Sequence, residues 1–397
     1  MTDANPQPAT SAAIIVVAYN RPESLSRLLT SIAKASYAQV KNIPIVISID
    51  GGGSHHLAVK DVADRFDWPH GPKEIVAHET NLGLIEHVFS CGDLSQRFGR
   101  IILLEDDLVV GGSFYAYAQR SLDFFAGDPQ VAGISLSALW FHGFTQLPFT
   151  PYPDDGDNFF MQVAWYQGQA YTAEQWQRFR DWLQQDGGAV TPEDRMHPMF
   201  SDFPETDWFP SKTRYLVKTG RFYAFPRQSL AVNFGETGTH FSQPTSFFQV
   251  PVQDRRSGWR FQSLSESVAV YDSWQEMLPD RLKRLAPDLE GVTFVTDFYA
   301  QRDPELVSAE LMLTTQPSDP NVARNSWGLT MRPPEANLAH GVTGDGIRLI
   351  RPDAIDYSLR SRFIADWERY RYFNNQRPIG RWQRVRYLLG RWFSRFR

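Results

Sequence analysis

The chain has almost no cysteine, and this restricts its chemistry and its compartment. Among its 397 residues Cys91 is the single cysteine, so an internal disulfide is excluded and a reducing compartment is expected. No apolar run approaches the ~20 residues that span a bilayer. Residues 1–11 lack the basic-then-apolar pattern of a signal peptide, and we expect them to form a disordered leader. These features predict a cytoplasmic protein.

The sequence also lacks an excess of positive charge and the common phosphate-binding loops. Its 40 Lys and Arg residues against 45 Asp and Glu give a net charge of −5, which argues against nucleic acid as a partner. The glycine run Gly51–Gly53 has neither the GxxxxGK[ST] nor the GxGxxG spacing. It either lets the backbone turn tightly beside a ligand or forms a surface turn, and both interpretations remain open.

What the first third does contain is an alternation of apolar strands and amphipathic helices. Buried strands are predicted at 12–19, 43–49, 74–77 and up to residue 105, with a helix after each of the first three. Asn20 is predicted to cap the first of these helices. Such βα repeats form a mostly parallel sheet flanked by helices, with the carboxyl ends of its strands along one edge.

The most informative stretch is the end of the fourth strand. Four apolar residues, 101–104, precede Glu105, Asp106 and Asp107. Open parallel sheets bind ligands at the carboxyl ends of their strands. Three adjacent carboxylates repel one another, so a positive group is required, most simply a divalent cation. The alternative is a solvated acidic turn.

The C-terminal third has a different character. Short β-like segments beyond residue 250 predict a β-rich accessory region over 251–368. From Arg369 onward every charged residue is Arg, and apolar residues recur at helical spacing over 379–397. A basic amphipathic tail helix of this kind suits an anionic membrane surface, and the alternative is a helix packed on its own domain.

Several short motifs occur in an order that resembles a known enzyme family. They are Val16–Pro22, Ser48–Asp50, Asn81–Gly83, Leu104–Asp107, Trp165–Gly168, Asp207–Trp208 and Gly238–His240. Together they resemble GT-A glycosyltransferases, especially bacterial family-2-type enzymes and the N-acetylglucosaminyltransferase I group, which carry a Glu-Asp-Asp version of the DXD motif. The resemblance implies a Rossmann-like GT-A catalytic domain over 12–250, with a nucleotide-sugar half (12–130) and an acceptor half (131–250).

The resemblance also implies ligands and roles on the donor side. It implies a nucleotide-sugar donor, usually UDP-linked, and Mn²⁺ or Mg²⁺. Asp107 would bind the metal, and His240 would be a second metal or diphosphate contact. The remaining donor-side positions are Asp106 near the ribose or a metal-bound water, Glu105 near the nucleotide, Asp50 at the base, Arg21 at the base or a phosphate, and Asn81.

On the acceptor side the resemblance implies a general base and an aromatic wall. Asp207 matches the base of inverting members, but this chain has Thr206 where those enzymes carry a further acid, so Glu205 is the alternative base. The acceptor would stack on Trp165, Tyr166 and Trp208. Each assignment has a structural alternative: pairing of Arg21 with Glu23, a turn at Asp50, a salt bridge at Asp207, and core packing for the aromatic residues.

The sequence therefore predicts a metal-dependent, inverting glycosyltransferase, peripheral to the inner face of the membrane. Its acceptor would be a glycan or lipid-linked saccharide of bacterial surface polysaccharide synthesis. One alternative is a sugar nucleotidyltransferase, although such enzymes carry a Gly-rich loop with Arg and Lys where this chain has Tyr19–Pro22. The other is a catalytically inert, membrane-associated glycan-binding protein.

Overall fold

The computed structural model describes residues 11–37, 40–236 and 243–375, so His240 and the 379–397 tail lie outside the described residues. The described chain divides into two compact units. The larger contains residues 11–139 and 153–273, and the smaller contains 140–152 and 274–375. In these ranges no helix is both long and apolar enough to cross a membrane.

The elements follow one another in the order that the sequence pattern predicts for the first third. The strands are β1 (Ala13–Ala18), β2 (Ile45–Ile49), β3 (Lys73–Ala77), β4 (Arg100–Glu105), β5 (Leu108–Val110), β6 (Val131–Ser135), β7 (Asn158–Met161), β8 (Gln169–Thr172), β9 (Phe222–Pro226), β10 (Ala231–Asn233), β11 (Val270–Tyr271), β12 (Phe294–Asp297), β13 (Leu311–Thr314), β14 (Asn325–Trp327) and β15 (Ile347–Ile350). The helices are α1 (Pro22–Lys34), α2 (His56–Arg65), α3 (Leu84–Asp93), α4 (Ser95–Phe98), α5 (Phe114–Phe125), α6 (Ala173–Asp186), α7 (Phe209–Thr219), α8 (Pro279–Leu285), α9 (Glu335–Ala339) and α10 (Leu359–Phe373).

The larger unit is built on a mixed, mostly parallel sheet. Within the described ranges it has nine strands in the order β11-β7-β9-β6-β8-β4-β1-β2-β3. β1 pairs in parallel with both β2 and β4, and every residue of β1 and β2 is buried. Strands that are covered on both faces read as continuous apolar runs, which is why the sequence pattern located them. The predicted α/β fold class is confirmed: a mostly parallel sheet flanked by helices, as expected of a GT-A fold, and a separate β-rich C-terminal region.

Two local predictions were wrong. Asn20 does not cap α1, whose N-cap is Arg21; instead its Oδ1 accepts the backbone N–H of His55, the N-cap of α2. β11, which was predicted as part of the accessory region, pairs in parallel with β7 at the edge of the main sheet. Both errors concern partners that are far away in the sequence. In contrast, the spacing of Thr172 and Gln175 in the sequence predicts a capping box at the start of α6, and this local prediction is confirmed.

The smaller unit has its own sheet and its own aromatic core. Its four described strands lie in the order β12-β13-β15-β14, with β12 and β13 parallel and the other pairs antiparallel. Rings of His142, Tyr299 and Phe373 stack in series, with centroids 3.9 and 4.5 Å apart. Residues 140–152 thus contribute to a core that is otherwise formed more than 120 residues later in the sequence.

Candidate functional site

The acidic motif lies at the carboxyl end of β4, where two strand pairings and one further backbone hydrogen bond fix its backbone. Glu105 is the last residue of β4 and is in register with Val17 of β1. Asp106 and Asp107 form the turn into β5, which pairs with β10. The N–H of Phe234, just after β10, donates to the carbonyl of Asp107 over 3.0 Å. The motif is therefore held by segments from both ends of the larger unit's sequence.

Arg21 is the positive group nearest to the motif. Its guanidinium donates to carboxylate oxygens of both Asp106 and Asp107, the latter over 3.2 Å. The N–H of Tyr19 donates to the other oxygen of Asp106 over 3.3 Å. The side chain of Asp106 is 4% exposed, whereas that of Asp107 is 30% exposed. Asp106 thus fastens β1 to β4, and Asp107 is the carboxylate that a ligand can reach.

The pKa values of Glu105 and Asp106 in the motif are raised by burial and, to a smaller extent, by neighbouring negative charge. Burial raises the pKa of Glu105 well above its usual range, and the charges of Asp107 and Asp106 raise it further. Burial also raises the pKa of Asp106 to about 6, against the opposing effect of Arg21. One guanidinium does not neutralise three carboxylates, so an additional cation is favoured here.

The residues present fit a Mg²⁺ or Mn²⁺ ion that is shared with a ligand. Among the residues that the structure describes, no three His, Cys, Asp or Glu side chains form a ready-made metal cage. Hard divalent cations in phosphate-handling sites use one or two carboxylates and take further oxygens from water and phosphate. Asp107 supplies such a carboxylate at a site with unbalanced negative charge. The predicted contribution of His240 lies outside the described residues.

Asp50 and Asn81 shape the neighbouring strand ends. The Asp50 carboxylate is buried, and it accepts the backbone N–H groups of Gly51 and Leu82 over 2.8 Å and of Gly83 over 3.2 Å. The Asn81 amide donates to the carbonyl of Gly51 over 3.2 Å. Asp50 therefore joins the turn after β2 to the segment that precedes α3, and its predicted contact with a base remains a prediction.

The fold brings Asp207 to the motif. It precedes α7, and its Oδ1 accepts the N–H of Phe209 over 2.9 Å. Besides burial, the charge of Asp207 helps to raise the pKa values of Glu105 and of Tyr166, and Asp107 acts on Tyr166 in the same direction. Asp207 and the motif are thus electrostatically coupled although about 100 residues separate them in the sequence. The alternative base Glu205 is exposed.

The three predicted aromatic residues divide into a site residue and a core pair. Tyr166 is half-buried, and besides burial the charges of Glu105, Asp107 and Asp207 raise the pKa of its hydroxyl. Trp165 and Trp208 are only 6% and 3% exposed. The Trp165 ring lies 4.6 Å from that of Tyr166, with Phe209 packed edge-on against both. Stacking with an acceptor stays a prediction, and Tyr166 is the residue best placed for it.

One residue that the sequence analysis missed is Lys212 of α7. Its side chain is buried, its Nζ donates to the Tyr171 hydroxyl over 2.7 Å, and it lies 4.0 Å from the ring centroids of Tyr171 and Trp176. Burial lowers its pKa well below the usual range. A lysine one turn after Trp208, and one turn before Tyr215 and Leu216, was the available signal. Lys212 anchors the helix that Asp207 precedes.

Comparisons with known proteins gave likeness only among solved structures. No family model and no curated protein matched the chain. A mannosyltransferase from Pyrobaculum calidifontis, in complex with GDP-Man and Mn²⁺, is 14% identical over 55% of this chain and 56% of its own, with a TM-score of 0.33. TarS of S. aureus is 12% identical over 55% of this chain and 36% of its own, with a TM-score of 0.34. A 1–349 form of TarS in complex with UDP is 10% identical, with a TM-score of 0.34.

In each case the match covers less than two thirds of the compared chain. Superpositions with a TM-score below 0.5 and identities of this size do not establish a shared activity. The strand order and pairings of this chain therefore establish its α/β fold class. Its candidate site consists of the carboxylates of the acidic motif, Arg21, Tyr166 and Asp207.

Proposed function

We propose that this protein is a metal-dependent glycosyltransferase that transfers a sugar from a nucleotide-sugar, most simply a UDP-sugar, to a hydroxyl of a glycan or lipid-linked saccharide. One observation carries the proposal. A carboxylate-rich strand end and the separate carboxylate of Asp207 are electrostatically coupled at the carboxyl edge of a mostly parallel sheet. This arrangement, together with the ordered motifs that resemble GT-A enzymes, provides a group to hold a cation and a second group to act as a base.

The donor side would work through Asp107 and Arg21. Asp107 would hold Mn²⁺ or Mg²⁺, and the bound cation would stabilise the negative charge on the departing nucleoside diphosphate. Arg21 keeps Asp106 and Asp107 in place through its two hydrogen bonds. Because the Asp106 carboxylate already accepts hydrogen bonds from Tyr19 and Arg21, it would contribute mainly by fixing the turn.

The acceptor side would work through Asp207. Its carboxylate would take the proton of the acceptor hydroxyl while the hydroxyl oxygen bonds to the anomeric carbon and the bond from that carbon to the diphosphate oxygen breaks. Attack from the face opposite the leaving group inverts the anomeric configuration, as it does in two-carboxylate inverting hydrolases. The hydrogen bond from Phe209 to Asp207 Oδ1 holds the carboxylate at the start of α7.

The membrane part of the proposal has support from the smaller unit. At the start of α10, Leu359, Phe363 and Ile364 are 87%, 42% and 46% exposed, with exposed Arg360 and Arg362 between them. The sequence beyond the described residues adds only Arg among charged residues and supplies the apolar positions of 379–397. We propose that this end of the chain contacts an anionic membrane surface and brings the enzyme to a lipid-linked acceptor.

Calorimetric titration with UDP tests the donor site. We expect binding in the presence of Mn²⁺, loss of binding in EDTA, and an affinity at least about 30-fold lower, or ~2 kcal/mol, in Asp107→Asn. Asp61→Asn, which changes an exposed acid on α2, is the matched control and should bind as the native protein does. If UDP fails while another nucleoside diphosphate binds, only the donor assignment is wrong. If no nucleotide binds with any metal, the proposal fails and glycan binding becomes the leading function.

The same preparations test the base. Asp207→Asn keeps the oxygen that accepts from Phe209, so α7 should be undisturbed and the affinity for UDP unchanged. Hydrolysis of UDP-glucose or UDP-N-acetylglucosamine should nevertheless fall by about 10²-fold or more. In the native enzyme, NMR of the freshly released sugar should show the β-anomer first. Release of the α-anomer would refute inversion, and loss of activity in Glu205→Gln alone would move the base to Glu205.

A further inference from the structure

A polar pocket separate from the acidic motif lies within the larger unit. It has a volume of about 160 Å³, and its walls include Tyr117, Asp157, Arg227, Gln228, Arg256 and Trp259. We call it the Trp259 pocket. None of these residues belongs to the site described above. A cavity of ~150 Å³ is large enough for a six-membered ring.

The walls of the Trp259 pocket are held by hydrogen bonds. Arg227 donates to Asp154 over 2.7 Å and to the carbonyl of Gly156 over 2.8 Å. Arg256 donates to Asp157 over 2.5 Å. On the other wall, Trp259 Nε1 donates to Gln253 over 3.3 Å. These contacts limit side-chain motion, so a ligand would meet a largely preformed surface.

The charges of the pocket indicate the class of ligand. Both arginines of the lining are already paired with carboxylates, Arg227 with Asp154 and Arg256 with Asp157. The lining residues therefore offer no unpaired cation to an anion, and outside the lining the guanidinium of Arg120 lies over the Trp259 ring, 5.8 Å from its centroid. The lining offers donors and acceptors in several directions beside the half-buried indole of Trp259, which packs edge-on against the buried ring of Tyr117 with the centroids 5.4 Å apart. An uncharged, polyhydroxylated ring matches this combination of polar groups and aromatic surface.

The topology places the pocket on the same edge of the sheet as the acidic motif. β6 is antiparallel to β8, β8 is antiparallel to β4, and β9 is parallel to β6, so β9 and β4 run in the same direction. The lining segment 226–228 begins at the end of β9, three strand positions from β4. At the usual strand spacing this corresponds to ~14 Å. A linear saccharide lying along the edge would extend from one site to the other.

Close backbone packing joins the pocket wall to the segment that follows the motif. A Cβ on Gly111 would lie 2.2 Å from the Gln253 carbonyl oxygen, and one on Gly112 would lie 2.5 Å from that of Asp254. Only glycine permits this approach. The wall that carries Gln253 and Trp259 is thus fixed directly to the chain that leaves β5.

We propose that the Trp259 pocket binds an uncharged pyranose residue of the acceptor saccharide, at a distance from the residue that receives the new sugar. The acceptor role rests on the proposed function; the binding of a neutral sugar ring does not. The pocket would select acceptors that are long enough to reach it.

Saturation-transfer NMR with single-sugar ligands tests the pocket. The probes are the methyl glycosides of glucose, galactose, mannose and N-acetylglucosamine, with glucuronate as the charged comparison. We expect at least one neutral glycoside to bind the native protein, and Trp259→Ala to weaken that binding about tenfold or more. Gln228→Ala changes an exposed lining residue and should weaken it without risk to folding. Gln184→Ala, an exposed glutamine on α6, is the matched control and should leave binding unchanged.

Several results would overturn the proposal. They are the absence of binding by every neutral glycoside, binding by both Gln228→Ala and Trp259→Ala that is as strong as in the native protein, and a clear preference for glucuronate. UDP titrations with Mn²⁺ on the same variants separate the two proposals, because these variants should bind UDP as the native protein does. Sugar binding without any nucleotide binding would support the pocket and refute the transferase, whereas nucleotide binding without sugar binding would do the reverse.

Discussion

Asp106 and Asp107, two adjacent residues of the same type, have different roles in the acidic motif. Asp106 is almost completely buried and accepts from Tyr19 and Arg21, while Asp107 remains partly exposed. The tight turn after β4 directs consecutive side chains into different surroundings. The resemblance implied metal binding by Asp107 and a place near the ribose or a metal-bound water for Asp106, whereas the burial of Asp106 and its bonds to Tyr19 and Arg21 indicate a structural role for it.

His87 is a second buried residue whose charge state matters for the fold. Its Nε2 lies 2.8 Å from the Ser48 hydroxyl beneath the Asp50 turn. Burial lowers its pKa to about 4, the nearby His78 lowers it as well, and Asp50 opposes both effects. These contacts give His87 a structural role.

We predict that His87 makes the protein less stable in mild acid. Since its pKa is depressed in the folded state, the unfolded chain binds more protons between its usual value of about 6.5 and 4, and stability falls as the pH falls through that interval. The expected loss from pH 7 to pH 4 is about 3 kcal/mol in urea denaturation. His87→Gln should lose less, and His55→Gln, an exposed control, should follow the native curve. Parallel curves for all three proteins would contradict the prediction.

At the scale of elements, the site depends on how helices are fixed to the sheet. α7 carries Asp207 at its start and Lys212 in its buried face, and Lys212 joins the helix to Tyr171 of β8. β8 in turn pairs with β4 through four residues, ending at Leu103. The position of the proposed base is therefore linked to the acidic motif through one helix and two strands.

We predict that the contact between α3 and α6 tolerates no added methyl group. A Cβ on Gly92 would lie 2.0 Å from the ring of Trp176, which is buried and donates to Asp93 over 2.7 Å. Gly92→Ala should lower the free energy of unfolding by ~1–3 kcal/mol despite the better helix propensity of alanine. Gly127→Ala, where the added group meets open space, is the control and should be nearly neutral. Equal stability of the two variants in urea would show that the ring moves aside.

At the scale of the whole molecule, the chain does not divide into units at single points in the sequence. Residues 140–152 leave the larger unit and join the smaller one, whereas 251–273 belong to the larger. The boundary that the sequence analysis placed at residue 250 was drawn from a change in local character. Composition reports local character, but the grouping of segments depends on which distant surfaces bury each other.

We predict that the full chain binds anionic membranes through its basic end. It should sediment with vesicles that contain phosphatidylserine, dissociate from them at high salt, and stay in solution with vesicles of phosphatidylcholine alone. The reason is that each arginine near an anionic surface contributes ~1 kcal/mol to binding. A full-length variant with Arg381, Arg384 and Arg391 changed to Glu should remain in solution. Arg255→Glu, a highly exposed arginine of the larger unit, should bind as the native protein does. Equal sedimentation of both variants would refute this role for the tail.

The sequence by itself determined the elements that depend on local pattern. The buried strands and helices of the first third, the capping box and the placement of Glu105–Asp107 at a strand end follow from apolar runs, helical spacing and turn residues, all of which act over a few neighbouring positions. Only the tertiary structure decided which residues share a site. The pairing of Arg21 with Asp106 and Asp107, the approach of Asp207, the commitment of Asp50 to its turn and the Trp259 pocket all join segments that are distant in the chain. Such contacts depend on strand order and burial across the whole sheet, and no local pattern encodes them.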